Sequence, residues 1–237
     1  MPIGRWDTET GRLLGEVELK APTGAECWFS PDRRSVAALD SEGVGLYDAL
    51  TGERKRTVAA NDECGMLVAA FSPDGLTLAT SEYETKGGGL GVGRVRLFPV
   101  AGGQSKLLAE LPSYVNALAF SPDGERLYAA VDNRSLRCFD VKSVVELWKN
   151  DHWARHLAVS PDGKLLAIDT YQDGPLRLWN AETGEKIAAL DGGKRSWSRR
   201  VAFGPDGKTV GFGTNDGVQI WAAATRKLHH RRTGPRR

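Results

Sequence analysis

The chain has no long apolar run. Its longest, Met66–Phe71, falls far short of the roughly 18 residues a membrane-spanning helix requires, so no membrane partner is expected. The opening residues Met1-Pro-Ile-Gly-Arg-Trp-Asp7 lack the apolar centre of a secretory signal. Cysteine is scarce as well. Cys27, Cys64 and Cys138 are odd in number, widely spaced and without a Cys-x-x-Cys pair, which argues against a disulfide framework, a zinc site or a redox site. They read as small buried hydrophobes in a reducing, cytoplasmic setting. Net charge is also nearly absent, with 32 basic against 30 acidic residues. The excess sits in the tail, where Arg226, Lys227, Arg231, Arg232, Arg236 and Arg237 meet no acid after Thr225. The rest of the chain is slightly acidic, which speaks against a nucleic-acid-binding body. The tail itself lacks the interleaved aromatics of a single-strand binder and reads as a solvated, disordered end.

Glycine is the exception to this scarcity: there are 28, where the roughly 7% usage of average proteins would give about 17. Many tight turns are implied, and one motif supplies them. It recurs five times, as Phe29-Ser-Pro-Asp32, Phe71-Ser-Pro-Asp-Gly75, Phe120-Ser-Pro-Asp-Gly124, Val159-Ser-Pro-Asp-Gly163 and Phe203-Gly-Pro-Asp-Gly207, at spacings of 42, 49, 39 and 44. Ser at the first position, Pro presetting φ at the second and Gly at the fourth are the chemistry of a type I turn at a hairpin corner. An aromatic then closes a short alternating strand 18 to 27 residues after each turn, and once before the first: Trp6, Tyr47, Phe98, Phe139, Trp179 and Trp221. Four of the six have Gly five residues on (Gly11, Gly52, Gly103, Gly184), predicting a second turn. Runs such as Ser35–Leu39, Leu127–Val131 and Leu165–Ile168 lie between the two turn types, and Leu107–Leu111 and Lys186–Leu190 follow the second. The sum is four strands per unit.

Four short strands about every 40 residues, with no helical interval for parallel crossovers, predict an all-β propeller of antiparallel four-stranded blades. Ser143–Trp148 and the residues through His156 could be drawn as an amphipathic helix, but the repeat register places an outer strand and a loop there. The chain opens on a third strand, Ile3–Trp6, and a fourth, Leu13–Leu19. The expected architecture is therefore five complete units plus an N-terminal half-blade, with a propeller over 1–224 and an outer-strand remnant and basic tail over 225–237.

These residues resemble the WD40 repeat proteins, in the Phe-Ser-Pro-Asp-Gly form common in bacterial members. The resemblance is strongest at Val201–Gly207 with Val218–Trp221, and at Val159–Gly163 with Leu176–Asn180 and Thr183-Gly184. No Gly-His dipeptide precedes an inner strand, and a true Trp-Asp occurs only at Trp6-Asp7. The family's buried Asp-His-Ser-Trp network is therefore expected to be incomplete, with apolar packing in its place.

Reactive groups do not converge in the sequence. His152 and His156, four residues apart in an extended strand, would lie about 13 Å apart, too far to share a metal. The run Gly87–Gly93 fits no phosphate-loop pattern and belongs to a longer connection between second and third strands. The aspartates of the Pro-Asp turns are explained by turn chemistry, separated by whole blades rather than gathered around calcium. No cofactor, metal or catalytic residue is expected.

Aligning the inner strands on their anchor residue gives the functional signal. Six positions before it stand Tyr114, Trp153 and Trp197, and four before it Asn116, Arg155 and Arg199. By the resemblance, these lie where the chain enters the inner strands, and the long connection with Glu82, Tyr83, Glu84 and Lys86 opens on the same side. Trp, Tyr and Arg are the residue types that dominate binding hot spots, although aromatics here could equally plug the blade interfaces. The expected function is a non-catalytic, cytoplasmic protein-interaction scaffold binding a protein partner through Tyr83, Tyr114, Asn116, Trp153, Arg155, Trp197 and Arg199. The alternatives are a propeller-based metal-dependent hydrolase or lactonase, and the regulatory repeat fragment of a larger bacterial signalling protein. Self-association through the open half-blade, or an upstream extension that completes it, is a further expectation, because an orphan half-blade leaves strand edges and apolar faces uncovered.

Overall fold

A computed structural model describes residues 2–7, 9–21, 26–60, 65–84, 91–132, 135–169, 175–190, 200–214 and 217–233. The chain divides into two units, Met1–Glu110 and Leu111–Arg237. In the first unit, β1 (Pro2–Trp6) and β2 (Leu13–Glu18) form a two-stranded sheet. Two four-stranded sheets follow: β3 to β6 (Cys27–Phe29, Ser35–Asp40, Gly43–Asp48, Arg54–Ala60) and β7 to β10 (Gly65–Phe71, Thr77–Glu84, Val92–Pro99, Lys106–Leu111). The second unit holds three more, β11 to β14 (Val115–Phe120, Arg126–Val131, Ser135–Asp140, Val145–Asn150), β15 to β18 (Leu157–Val159, Leu165–Ile168, Leu176–Asn180, Lys186–Leu190) and β19 to β22 (Val201–Phe203, Thr209–Thr214, Gly217–Ala222, Leu228–Thr233). Each sheet is a meander in chain order.

The Pro-Asp turns join first to second strands as expected. In four of them the Ser hydroxyl donates to the Asp carboxylate (Ser30–Asp32, Ser72–Asp74, Ser121–Asp123, Ser160–Asp162, 2.5–2.6 Å). The same oxygen accepts the amide of the residue five positions on, at 2.9 Å. Hydroxyl and carboxylate thus satisfy the corner's own polar groups, which lets the serines sit buried. The fourth position of the turn is left-handed throughout. Gly75, Gly124, Gly163 and Gly207 take φ between +69° and +75°, and Arg33 is forced to +58°.

The second turn type obeys the same backbone rule. Five residues after the anchor aromatic, φ is positive at Gly11, Gly52, Gly103 and Gly184, and also at Val144 (+64°) and Arg226 (+58°). The residue after the anchor caps this turn: Asp7, Asp48 and Asn180 each accept two backbone amides, and Asp140 accepts the amide and hydroxyl of Ser143. This is why an acid or amide follows the aromatic in four of the six units.

Opposite the anchors Tyr47, Phe98, Phe139, Trp179 and Trp221, the second strands place Val36, Leu78, Leu127, Leu166 and Val210. All five aliphatics are fully buried. An aromatic on a branched aliphatic is a favourable cross-strand pair, and it replaces any hydroxyl partner for the ring. The indole Nε1 of Trp179, facing Leu166, is consequently a buried donor with no partner among the described residues. Two rings keep polar partners beside this packing: the Tyr47 hydroxyl donates to Asp40 at 2.6 Å and the Trp221 indole to Gln219 at 3.3 Å.

Neighbouring sheets within each unit stack by apolar faces. In the first unit Trp28, Ala37 and Val44 pack on Ala69, Leu78 and Phe98. In the second unit Tyr128, Leu136 and Cys138 pack on Leu166, Ile168 and Trp179, and Ala167, Leu176 and Leu178 pack on Val201, Val210, Phe212 and Trp221. Burial raises the Cys138 thiol to about 12, so it packs as a hydrophobe; Cys64 lies outside the described residues.

One expectation needs correction. Glu82, Tyr83 and Glu84 belong to β8 and not to the loop beyond it, because Arg96 and Arg94 on β9 pair with the two carboxylates (3.2 and 2.8 Å) and extend the ladder. The outer strand expected within the basic run after Thr225 is Leu228–Thr233, which pairs with β21 by its backbone. Residues 143–156 follow the register, as strand β14 and then an irregular link. Most of the Gly87–Gly93 run, with Lys86, lies outside the described residues.

Candidate functional site

The link between β14 and β15 alternates in exposure. Ala154 is fully buried in the cluster around Tyr128 and Leu166, Trp153 is half-buried and Arg155 is exposed. Burying the small residue turns its larger neighbours outward. Asn116 on β11 fixes the link, donating from Nδ2 to the Ala154 carbonyl (3.3 Å) and to the Asp132 carboxylate (3.5 Å). The Trp153 indole donates to the same carboxylate oxygen at 3.4 Å. The Asp132 amide donates to the Tyr114 carbonyl at 3.0 Å, which places Tyr114, 36% exposed, beside the cluster. Asp132, at the end of β12, therefore ties together three of the residues that the inner-strand alignment singles out.

A second acid does the same one sheet on. Asp169, buried after β16, accepts the His156 amide at 2.6 Å and lies 3.0 Å from His156 Nδ1. The Arg155 amide donates to the Asp169 carbonyl at 3.2 Å. The Arg155 side chain is thus carried on a backbone held at both neighbours. His152 faces elsewhere, its ring 4.6 Å from that of Trp179. Burial, with Arg177 and Lys186 nearby, holds its pKa below the ordinary imidazole value. Each imidazole therefore has its own partner, and neither lies in a strand.

The remaining expected residues are not brought into this cluster. Tyr83 belongs to the first unit, where its hydroxyl accepts the Gly91 amide at 3.1 Å. A side chain at position 91 would meet the Tyr83 ring at 2.5 Å, so only glycine lets the two approach. Trp197 and Arg199 lie outside the described residues. Asp132 and Asp169 were missed by an alignment of first strands alone. No aligned column carries them, since counted from the turn serines Asp40 and Glu82 stand ten residues on, Asp132 eleven and Asp169 nine.

The chemistry on offer is recognition. Both carboxylates are engaged by the backbone or side chains they anchor, and among the described residues no group of three His, Cys, Asp or Glu could hold a metal ion. Tyr114 and Arg155 are exposed, and Trp153 is half-buried.

The family model described as "WD domain, G-beta repeat" matches residues 105–140, which run from the start of β10 through β13. The solved Cps50 (Swd1) β-propeller domain of Myceliophteria thermophila superposes with a TM-score of 0.70, at 19% identity over 94% of this chain and 76% of that one. This likeness shows the fold, that of a WD40 propeller, and one stretch of the chain matches the WD40 family pattern. Among curated proteins, a WD repeat-containing protein SL1-17 of Schistosoma mansoni is 28% identical over 141 residues, covering 58% of this chain and 43% of its own. The nuclear distribution protein PAC1 of Coccidioides posadasii is 26% identical over 149 residues (57% and 32%), and the autophagy-related protein 16 of Arabidopsis thaliana is 24% identical over 200 (78% and 36%). The chain thus spans less than half the length of each. All three relatives are eukaryotic, so the bacterial type expected from the turns is not shown.

Proposed function

We propose that this protein is a non-catalytic, cytoplasmic interaction scaffold of the WD40 repeat type that binds a protein partner where its chain enters the inner strands of the second unit. The observation that carries this reading is the Asp132 node, which holds Trp153 and Asn116 in place and leaves Tyr114 and Arg155 outward. Aromatic and guanidinium groups on a rigid backbone are the usual anchors of a binding surface, because their contact area is large and little side-chain freedom is lost. Trp197 and Arg199 hold the equivalent positions in sequence, six and four before the anchor Phe203. WD40 relatives are typically protein-binding, which supports the same class of partner.

The test is affinity capture with the wild-type chain against Trp153→Ala combined with Trp197→Ala. Losing hot-spot aromatics costs about 2 kcal/mol or more each, so the partners retained by the wild type are lost by the double variant while the far-UV spectrum is unchanged. Unfolding of the double variant would instead make these rings core residues and remove the surface.

A further inference from the structure

One face of the last sheet is open although its equivalents are covered. In each sheet the residue seven after the turn Ser (Gly204 in the last sheet), and the residues three and one before the anchor aromatic, point to the same side. In the sheet β3–β6 these are Ala37, Val44 and Leu46, in β11–β14 Tyr128, Leu136 and Cys138, and in β15–β18 Ala167, Leu176 and Leu178; all nine are buried. Within each unit, this side receives the anchor-aromatic side of the next sheet in the chain. In β19–β22 the same positions are Gly211, Val218 and Ile220. Here Val218 is 46% exposed, Gly211 and Ile220 are half-buried, and neighbouring Ala202 is exposed. Together with Phe203 they line an open depression of about 340 Å³.

The complementary defect is on β1–β2. Tyr47, Phe139, Trp179 and Trp221 are at most 7% exposed, whereas the equivalent Trp6 is 60% exposed and its cross-strand neighbour Leu13 is exposed beside it. One chain therefore carries an uncovered aromatic side in its first unit and an uncovered receiving side in its second, each matching the half of an interface it builds repeatedly elsewhere. The outer strands also differ in charge. β2 presents exposed Glu16 and Glu18, whereas β22 carries Arg231 and Arg232 in its sequence and no acid.

We propose that the open side of β19–β22 docks the Trp6 side of β1–β2 from a second copy of this chain. The contact is heterologous, head to tail, since the two surfaces differ. Glycine at 211 leaves more room for an indole than the Ala37, Ala79, Tyr128 and Ala167 that hold its place in the other sheets, and Ala202 matches Ala70, Ala119 and Ala158. In sequence β2 is acidic and β22 basic, and opposite charge favours the approach. This assignment is independent of the partner reading above, because it uses different residues.

The experiment is sedimentation velocity on the full 237-residue chain from about 1 µM to about 100 µM, where mass action must reveal association. The wild type is expected to grow past the dimer, as a head-to-tail contact leaves one free surface of each kind at every step. Trp6→Ala removes one surface; Val218→Asp, or Ala202→Arg as a second variant, removes the other. Each variant alone is expected to associate at least tenfold more weakly, with an unchanged far-UV spectrum. An equimolar mixture of a Trp6 variant and a Val218 or Ala202 variant retains one good surface of each kind, so it is expected to form a one-to-one dimer and stop there. A wild-type chain that stays monomeric throughout overturns the proposal, as does association that survives both kinds of substitution or a mixture that fails to pair.

Discussion

Arg33 and Val144 adopt left-handed backbone that costs a side-chain-bearing residue roughly 1–2 kcal/mol, most of all a β-branched one. Every other unit places glycine at the Arg33 position, and three in addition to Gly103 do so at the Val144 position. Arg33→Gly and Val144→Gly are therefore expected to stabilise the fold by about 1 kcal/mol each, with Val144→Gly the larger, as read by urea or thermal unfolding. The reverse change has the opposite sign. Alanine at Gly184 would set its Cβ 2.7 Å from the Trp148 ring, and alanine at Gly52 would collide with the Glu18 carbonyl; each should cost about 2 kcal/mol or more. The turn aspartates make a pH prediction. Hydrogen bonds from Ser160 and the Lys164 amide hold Asp162 below the usual carboxylate range, and Asp32, Asp74 and Asp123 are lowered by their own serines in the same way. A carboxylate depressed in the folded state stabilises it fully above the unfolded pKa of about 3.9 and loses that contribution as pH falls through the folded value. Stability is expected to hold from pH 7 to about 5 and then to decline toward pH 2. In Ser160→Ala it should be lower at pH 7 and decline less steeply, which chemical denaturation at stepped pH would show.

At the scale of the element, the turn between third and fourth strands is capped by Asp7, Asp48, Asp140 and Asn180 but not by Ala222. The Arg226 amide still donates to the Ala222 carbonyl at 2.9 Å, so the backbone has the capped geometry without the cap. Ala222→Asp is expected to add one or two hydrogen bonds to amides and raise stability by about 1 kcal/mol, measured as a higher denaturation midpoint at unchanged slope. The hairpin corners were legible in the sequence because Ser, Pro, Asp and Gly each have a local reason to be there. Val144 and Arg226 were not, since ladder closure imposes their conformation and their side chains carry no trace of it. Tyr114, Trp153 and Arg155 were legible by residue type and register. Asp132 and Asp169 were hidden, because each works on residues more than ten positions away, Asp169 on His156 across the β15–β16 ladder and Asp132 on Asn116 across the β11–β12 ladder and on Trp153 beyond β14. Tyr83 was misread as loop since the arginines that extend β8 lie on the next strand.

For the whole molecule, the expectation is binding without turnover. The imidazoles of His152 and His156 have separate partners, and the acids nearest the candidate surface are committed to structure. A screen of ester, lactone and phosphoester substrates, with and without divalent cations, is expected to give no rate above buffer; metal-dependent turnover that co-purifies with the chain and is lost in Asp169→Asn would restore the hydrolase reading. The uncapped turn at Ala222, the left-handed Arg33 and Val144, and the varied anchors share one consequence. Each corner asks mainly for a backbone shape, and each interior pair asks only for an aromatic over an aliphatic. Such demands are met by many sequences, so the spelling of a unit can drift while its geometry stays. The family pattern is matched over residues 105–140, whereas the common sheet design recurs in five four-stranded sheets: the shape is repeated where the spelling is not.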